Sequence, residues 1–334
     1  MSEEESSEAK KGAAGEGQGL GLNGDQTFLR ESLYGTFDES GYSGALSFGR
    51  RRYTHDLTGV DVAILGVPAD MTVSNRPGTR FGPRSIRAAS AHLSWGEAWP
   101  WGFDPFRRLA AVDVGDVVFE PGYVESMVEA TEKQATWILD HDVSMVTLGG
   151  EHLISLPVMR AHARKYGPLA MVHFDAHSDT WVEDVPLNHG SMFHEALKEG
   201  LIDTEHSIHV GIRTHNDDDH GIEILDAFWV DEHGAEATAS RIRDRVAGRK
   251  AYLTFDIDCL DPSYAPGTGT PVNGGPSTVW ARRVFLALHG VDFVGMDIVE
   301  VAPDYDVGEI TSLAAATLVY DYLCLMARDM PNVV

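Results

Sequence analysis

From residue 60 to the C-terminus, short apolar runs rich in β-branched residues alternate with longer segments that have the period of an amphipathic helix. Strands buried on both faces have such continuous apolar sequences, and parallel strands need long crossover connections, which are usually helices. The alternation therefore predicts an α/β fold with a parallel sheet between two layers of helices. Eight strands are predicted, at 61–66, 108–114, 144–149, 169–174, 207–211, 227–230, 251–256 and 292–298.

The first 58 residues do not follow this pattern. Residues 1–25 are rich in Glu, Ser, Gly, Ala and Lys and have almost no large apolar side chain, which predicts a flexible acidic tail. Residues 26–58 mix aromatic residues with arginines and predict an N-terminal arm that packs on this or a neighbouring subunit. We expect residues 59–334 to form a single domain, because no linker divides them.

The chain is strongly acidic. It has 26 Lys and Arg against 51 Asp and Glu, which gives a formal net charge of −25 at pH 7. Such a field repels phosphate backbones and anionic lipid headgroups, whereas it attracts cations. Nucleic acids and membrane surfaces are therefore disfavoured as partners, and the charge serves either solubility in salty surroundings or the steering of a cationic substrate.

The cysteine content and the N-terminus indicate a cellular compartment. Cys259 and Cys324 are the only cysteines and show no ligand spacing, so a disulfide framework is excluded and a reducing cytoplasm fits best. The N-terminus lacks the basic and apolar regions of a secretory signal. No apolar run approaches the roughly 20 residues that a bilayer crossing requires. We expect a cytoplasmic protein without a membrane span.

Polar clusters follow four of the predicted strands. They are residues 149–152 (GGEH), 175–179 (DAHSD), 256–262 (DIDCLDP) and 299–300 (VE). In open parallel sheets, ligands bind at the carboxyl ends of the strands. These segments are therefore expected to bring carboxylates and imidazoles to one edge of the sheet.

The spacing within the clusters predicts a metal centre. Alternate residues of an extended segment point to the same side, so both Asp-x-His-x-Asp and Asp-x-Asp can face one site. A single Asp-x-Asp is usually a turn or a helix cap, but carboxylates crowded from several strands repel one another without a cation. Carboxylates and imidazoles suit two divalent ions such as manganese. The candidate ligands are His152, Asp175, His177, Asp179, Asp256 and Asp258.

Five segments together resemble the ureohydrolase family of arginases and agmatinases, most closely the agmatinase branch: GGEH, FDAHSDT, FDIDCLDP, APGTGTPVNGG and DIVEVAP. The similarity covers roughly residues 58–328. It implies a three-layer α/β/α sandwich around an eight-stranded parallel sheet. It also implies cleavage of a guanidino C–N bond to release urea and an amine, and assembly into trimers or hexamers.

The resemblance also implies how the two metal ions are shared. His152, Asp175, Asp179 and Asp256 would bind one ion, and Asp175, His177, Asp256 and Asp258 would bind the other. Manganese is expected, with nickel as the alternative. The family commonly has Asp where this chain has Glu151, a change that is tolerable because this carboxylate is not one of the implied ligands.

Three further roles are implied. The ions lower the pKa of a bound water, and Asp179 would hold the resulting hydroxide in line by a hydrogen bond. Glu300 would pair with the guanidinium nitrogens. His189 would protonate the departing amine. The other histidines, among them His173 and His209, are expected to be ordinary core or surface residues.

The segment after Asp179 bears on the substrate. It lacks the Asn and Ser that an arginase uses to hold an amino acid's α-carboxylate, and Glu183 and Asp184 would repel that carboxylate. Agmatine, which becomes putrescine, is therefore favoured over arginine. Trp181 could instead cover free guanidine or a substituted biguanide by a cation–π contact, and these substrates remain the alternative.

Two other classes of function stay open. The chain could be a subunit that keeps the metals but requires a homologous partner for turnover, since the tail and the arm resemble assembly elements. It could also be a deacetylase-like enzyme on the same general fold, whose site holds one zinc ion rather than two.

Overall fold

The structure is a computed structural model that describes residues 25–36, 40–93, 96–182, 184–185, 187–215 and 218–334. The predicted acidic tail therefore lies, except for its last residue, outside the described part of the chain.

Within the described residues, nine strands form one sheet in which every pairing is parallel. The strands are β1 (Arg52–Tyr53), β2 (Val62–Val67), β3 (Ala111–Asp116), β4 (Ser144–Gly149), β5 (Ala170–Phe174), β6 (Ile208–Ile212), β7 (Glu223–Asp226), β8 (Lys250–Asp256) and β9 (Asp292–Val299). Their order across the sheet is β1-β3-β2-β4-β9-β8-β5-β6-β7.

Helices cover both faces of this sheet. The α-helices of the described segments are α1 (Gln26–Leu29), α2 (Gly82–Ser90), α3 (Val124–Asp140), α4 (Ser155–Tyr166), α5 (Met192–Lys198), α6 (Ala227–Val246), α7 (Thr278–Ala287) and α8 (Ile310–Ala327). One apolar core lies between the sheet and α2, α6, α7 and α8. A second core lies between the opposite face and α3, α4 and α5. The predicted three-layer α/β/α architecture is confirmed.

The predicted strand count of eight was wrong in two places. Residues 227–230 begin helix α6, because the Asp226 carboxylate caps that helix by accepting a hydrogen bond from Trp229 N at 2.8 Å. The strand of this region is the preceding β7. The other difference is β1, a two-residue strand that is too short to show a period in the sequence.

The N-terminal arm packs on its own chain where the structure describes it. Strand β1 pairs with the outer edge of β3, where Arg52 lies beside Val112. The buried Arg51 donates to the carbonyl of Gly35 at 2.8 Å, and its guanidinium lies 3.9 Å from the centre of the Phe106 ring. The arm therefore covers one edge of the sheet. Natural proteins commonly protect the edges of their sheets in this way.

Helix α8 is the most apolar part of the core. Within the described residues, it is the one helix that by length and composition could cross a membrane, with a mean hydropathy of 1.5. Of that helix, 72% is buried inside the protein, and a helix that is apolar on all sides is typical of a large core. Cys324 of this helix and Cys259 are both buried and free.

The central strands place the polar clusters together. β4, β9, β8 and β5 are neighbours in that order, although they are far apart along the chain. The backbone after β4 also passes very close to the segment after β2, since a Cβ at Gly150 would lie 2.1 Å from the carbonyl oxygen of Ala69. Glycine is required at this position, because any side chain would clash with that backbone.

A buried ion pair fastens helix α2 to the sheet. The Arg87 guanidinium donates to both carboxylate oxygens of Asp113, at 2.8 and 3.0 Å, and to Asp116 at 2.5 Å. Asp113 is completely buried. Removal of Arg87 would therefore leave an unpaired carboxylate inside the protein.

We predict that Arg87→Leu lowers the free energy of unfolding by about 3–5 kcal/mol, the usual cost of leaving a buried charge without its partner. Urea unfolding at a fixed protein concentration measures this difference. Arg164→Leu is the matched control, because Arg164 pairs with Asp140 at 3.9 Å on the surface and its loss should cost less than about 1 kcal/mol. Equal losses in both variants would contradict the prediction.

Candidate active site

Four neighbouring strands end in the predicted site residues. His152 lies just beyond β4, Glu300 follows β9, Asp256 ends β8 and Asp175 follows β5. All four strands are parallel, so their carboxyl ends meet at one edge of the sheet.

The first group of side chains surrounds His152. Its Nδ1 atom lies 3.1 Å from Asp175 Oδ2, 2.9 Å from Asp179 Oδ2 and 3.3 Å from Asp256 Oδ2. All four residues are buried. One imidazole nitrogen and three carboxylate oxygens thus converge on one point.

The second group lies on the other side of Asp175. His177 Nδ1 is 3.3 Å from Asp175 Oδ1 and 3.2 Å from Asp258 Oδ2. Asp175 therefore offers one oxygen to each group, which matches its implied shared role. Asp256 offers Oδ2 to the first group, whereas its Oδ1 accepts the Asp258 backbone N–H at 2.7 Å.

The imidazole nitrogens and carboxylate oxygens of the two groups are suited to binding cations. His152 Nδ1 is buried and has no hydrogen-bond partner, although three carboxylate oxygens face it. Burial, together with the charges of neighbouring carboxylates, raises the pKa of Asp256 well above its ordinary value and also raises that of Asp258. Burial disfavours charged His177, but Asp258 and Asp175 outweigh this effect and raise the pKa of His177 to about 12. These side chains form groups that could hold metal ions, and positive charge there would offset the repulsion between the carboxylates.

Local turns, rather than an extended strand, orient these candidate ligands toward the site. Asp175 Oδ1 accepts the backbone N–H of His177 at 2.6 Å, and Asp256 Oδ1 accepts that of Asp258 in the same way. Residues Ile257–Cys259 form a single 3₁₀ turn. The predicted convergence occurs, but its cause is the Asp side chain bonding to the backbone two residues on.

His189 and Glu300 lie next to each other beside the first group. His189 Nδ1 is 3.3 Å from Glu300 Oε1, which also accepts the backbone N–H of His152 at 2.8 Å. Glu300 Oε2 is buried and has no partner. Both Glu300 and Asp179 have positive φ angles, 63° and 53°, which side-chain-bearing residues rarely adopt and which often mark functional sites.

Residues 71–80, which we call the β2 loop, extend over the site from the end of β2. Glu151 anchors this loop, since its carboxylate accepts the backbone N–H of Met71 at 2.7 Å and both the N–H and the hydroxyl of Thr72. Farther along the loop, Asn75 donates to the carbonyl of Gly269 at 2.9 Å. Glu151 therefore holds the loop through hydrogen bonds from Met71 and Thr72.

The β2 loop also holds His189. The Thr72 hydroxyl accepts the His189 backbone N–H at 3.1 Å. At His189 Nε2, the Ser74 backbone N–H approaches to 3.0 Å and the Ser74 hydroxyl to 2.9 Å. The N–H can donate only to a neutral Nε2, whereas the hydroxyl can accept from a protonated one. Ser74 thus offers a partner to both protonation states of His189, a contact that the sequence did not indicate.

The structure places the residues that were predicted to contact the substrate in different surroundings. The Trp181 ring lies beside His177, with 6.0 Å between the ring centres, and packs against Gly190. Asp184 is exposed. Glu183 lies outside the described residues.

His173 and His209 were expected to be ordinary histidines, but they contact the site. His173 Nε2 is 2.8 Å from Asp175 Oδ2, and His173 Nδ1 is 2.7 Å from His209 Nδ1. Burial lowers the pKa of His209 well below its ordinary value, which favours the neutral ring. His209 Nε2 is buried without a hydrogen-bond partner, so a neutral His209 ring satisfies its one proton by donating from Nδ1 to His173, whose Nε2–H then donates to Asp175. The signal that was missed is the position of His173, which lies on β5 two residues before Asp175 and therefore points to the same side as that residue.

Comparison with known proteins agrees with this fold. Residues 60–324 match the Arginase family. An agmatinase from Chromobacterium violaceum is 51% identical over 308 residues, which cover 91% of this chain and 96% of that protein. The crystal structure of a hypothetical agmatinase from Burkholderia thailandensis has a TM-score of 0.89 and 54% identity, covering 91% of this chain and 98% of that one. Proclavaminate amidino hydrolase from Streptomyces clavuligerus has a TM-score of 0.83 and 34% identity, covering 87% and 99%.

A parallel three-layer fold with carboxylates and imidazoles at its central strand ends defines a hydrolase of the ureohydrolase type. The chain belongs to the arginase family. The resemblance to this family and the enzyme class are thus confirmed.

We predict that Glu300→Gln lowers the pKa of His189. Burial disfavours charged His189, but the hydrogen bond and charge of Glu300 outweigh burial and raise its pKa to about 9. A neutral amide removes that charge, so the titration midpoint should move toward lower pH.

Nuclear magnetic resonance of the histidine rings in metal-free protein measures this midpoint, with His189→Gln used to assign the signal. Glu205→Gln, a change at an exposed position away from the site, is the control and should leave the midpoint unchanged. An unshifted midpoint in Glu300→Gln would show that this carboxylate does not stabilise the imidazolium.

Proposed function

We propose that this chain is a binuclear-metal hydrolase that converts agmatine and water to putrescine and urea. The observation that carries the proposal is the pair of groups around Asp175, in which buried carboxylate oxygens face imidazole nitrogens and His152 Nδ1 has no hydrogen-bond partner. The similarity to proteins named agmatinase supports the choice of substrate.

The ligands in this proposal are the six predicted residues. His152, Asp175, Asp179 and Asp256 hold one ion, and Asp175, His177, Asp256 and Asp258 hold the other. Oxygen ligands with imidazoles suit manganese, and nickel is the alternative. Two bound ions would supply an activated water for attack on the guanidinium carbon.

The remaining residues bind and orient the substrate. Glu300 Oε2 is buried without a partner, and a guanidinium N–H is the donor that such a carboxylate pairs with best. Asp179 accepts a hydrogen bond from the attacking water and holds it in line. The C–N bond to the alkyl amine then breaks, and urea is the other product.

His189 delivers the proton that the leaving amine needs. It lies at the mouth of the site, only 12% exposed, and contacts both Glu300 and Ser74. A general acid must be able to gain and lose a proton near neutral pH, and Ser74 offers a partner in both states. Glu300 would keep the imidazolium close to the guanidinium nitrogen that departs.

Charge favours a substrate with a cationic tail. The net charge of −25 attracts agmatine, and the exposed Asp184 and neighbouring Glu183 disfavour a carboxylate tail. Free guanidine or a substituted biguanide is the second candidate, because Trp181 lies close enough to His177 to cover a compact cation.

The organisation of the protein is part of the proposal. We assign residues 1–25 to an acidic tail, 26–58 to an N-terminal arm and 59–334 to one catalytic domain, and we expect a cytoplasmic homotrimer or homohexamer. Sedimentation of the isolated chain, with its activity measured alone, tests the assembly. Full activity of the chain alone would eliminate the need for a homologous partner, and two metal ions per chain would eliminate a one-zinc deacetylase.

We predict that Asp258→Asn lowers metal content and urea release together, whereas His189→Ala keeps the metal and lowers kcat by about 10²–10⁴-fold, the usual contribution of general acid catalysis. Elemental analysis and urea assays on the same samples separate the two effects. Equal metal loss in both variants would contradict the role given to His189.

We predict that, with manganese, kcat/KM for agmatine exceeds that for arginine, guanidine or a substituted biguanide by at least about tenfold, a difference of about 1.4 kcal/mol. The panel is repeated with nickel. A higher value for guanidine or a biguanide would replace agmatine as the substrate. No urea from any guanidino compound would end the proposal of a ureohydrolase activity.

A further inference from the structure

A second hydrogen-bonded layer lies behind His152, on the side away from the other candidate ligands. The His152 Nδ1 atom faces three carboxylates. The His152 Nε2 atom, on the other side of the ring, lies 2.9 Å from the hydroxyl oxygen of Thr254. That hydroxyl donates to Asp297 Oδ1 at 2.6 Å. Thr254 is on β8 and Asp297 is on the neighbouring β9, and both side chains are completely buried.

The bonding around Asp297 fixes the direction of this chain. The Asp297 carboxylate accepts hydrogen bonds from Ser155 Oγ at 2.8 Å, from the Tyr252 hydroxyl at 2.8 Å and from Thr254. A threonine hydroxyl has one proton, and here it is donated to the carboxylate. The Thr254 oxygen can therefore only accept from His152, so the His152 ring must carry a proton on Nε2.

The consequence lies on the opposite side of the ring. A neutral imidazole with its proton on Nε2 has a lone pair on Nδ1, and Nδ1 is the atom that faces Asp175, Asp179 and Asp256. A metal ligand needs this lone pair. Without an acceptor at Nε2, the neutral ring could place its proton on Nδ1, toward the carboxylates, and that form cannot bind an ion there.

We propose that Thr254 and Asp297 are positioning residues that set the protonated nitrogen and the orientation of His152, and thereby the affinity of the first metal site. The inference rests on the proposed binuclear site. Partners of this kind, behind a ligating histidine, commonly alter metal affinity by about 10–100-fold. The second group, around His177, has no contact of this kind with Thr254 or Asp297 among the described residues.

The three hydroxyls on Asp297 provide matched controls. Only the Thr254 branch reaches His152. Tyr252→Phe and Ser155→Ala each remove one donor from the same carboxylate and leave the contact between His152 and Thr254 in place. Any effect of losing a buried hydrogen bond in general should appear in these variants as lower stability.

The first experiment titrates metal-free protein with Mn²⁺ by calorimetry. Thr254→Val, which has nearly the same shape but no hydroxyl, should weaken one of two binding steps by about 10–100-fold and leave the other step within a few-fold. Thr254→Ser should restore the affinity. Tyr252→Phe and Ser155→Ala should bind Mn²⁺ as the unaltered protein does, even where their free energy of unfolding is lower.

The second experiment needs no metal. In metal-free protein labelled with ¹⁵N-histidine, the His152 Nε2 proton should be protected from exchange with water, as it should be in Tyr252→Phe and Thr254→Ser. Thr254→Val should lose this protection. His152→Gln assigns the signal, and Thr254→Ala takes the place of Thr254→Val if circular dichroism shows that the valine variant is unfolded.

The outcomes separate the positioning role from the proposed function. Unchanged Mn²⁺ affinity and an unchanged Nε2 proton in Thr254→Val would overturn the inference. Equal loss of affinity in Thr254→Val and Tyr252→Phe would also overturn it, because the effect would then belong to Asp297 packing and not to His152. If the unaltered protein binds fewer than two Mn²⁺ ions, the binuclear proposal fails, and the proton measurement still decides whether Thr254 fixes His152.

Discussion

Carboxylates buried side by side repel one another, and this repulsion is the constraint on which the rest of the site depends. Asp175, Asp256 and Asp258 are almost completely buried where the central strands end. Desolvation alone would keep such groups neutral, and neighbouring charge adds to that effect. They are tolerated here because imidazole nitrogens, backbone N–H groups and, as we propose, two divalent ions offset the negative charge.

The sheet order makes this crowding possible. His152 and Glu300 are separated by about half the chain, yet β4 and β9 are adjacent, and the Glu300 carboxylate accepts the His152 backbone N–H. A parallel sheet with helices on both faces holds its strand ends rigidly, so ligands from different strands keep their mutual distances without a flexible loop between them.

Further polar side chains contact these residues or the loop above them, and their effects differ. Glu151 holds the β2 loop through Thr72, and that loop in turn contacts His189. His173 orients Asp175, and the Thr254 hydroxyl contacts His152. In the proposed site, the loop contacts lie on the substrate side, whereas the buried contacts are made to the candidate ligands. Substrate choice can therefore vary in the loops while the ligand set stays fixed.

The sequence by itself determined the layered fold and the strand-end clusters, because apolar periodicity and a turn such as Asp175-x-His177 depend on residues that are close along the chain. It placed a strand at 227–230, where the Asp226 cap begins a helix instead, and it did not reveal β1. Only the tertiary structure brought His189 to Ser74, 115 residues away, and His152 to Thr254, 102 residues away. Such contacts depend on strand order and side-chain direction, which no local pattern encodes.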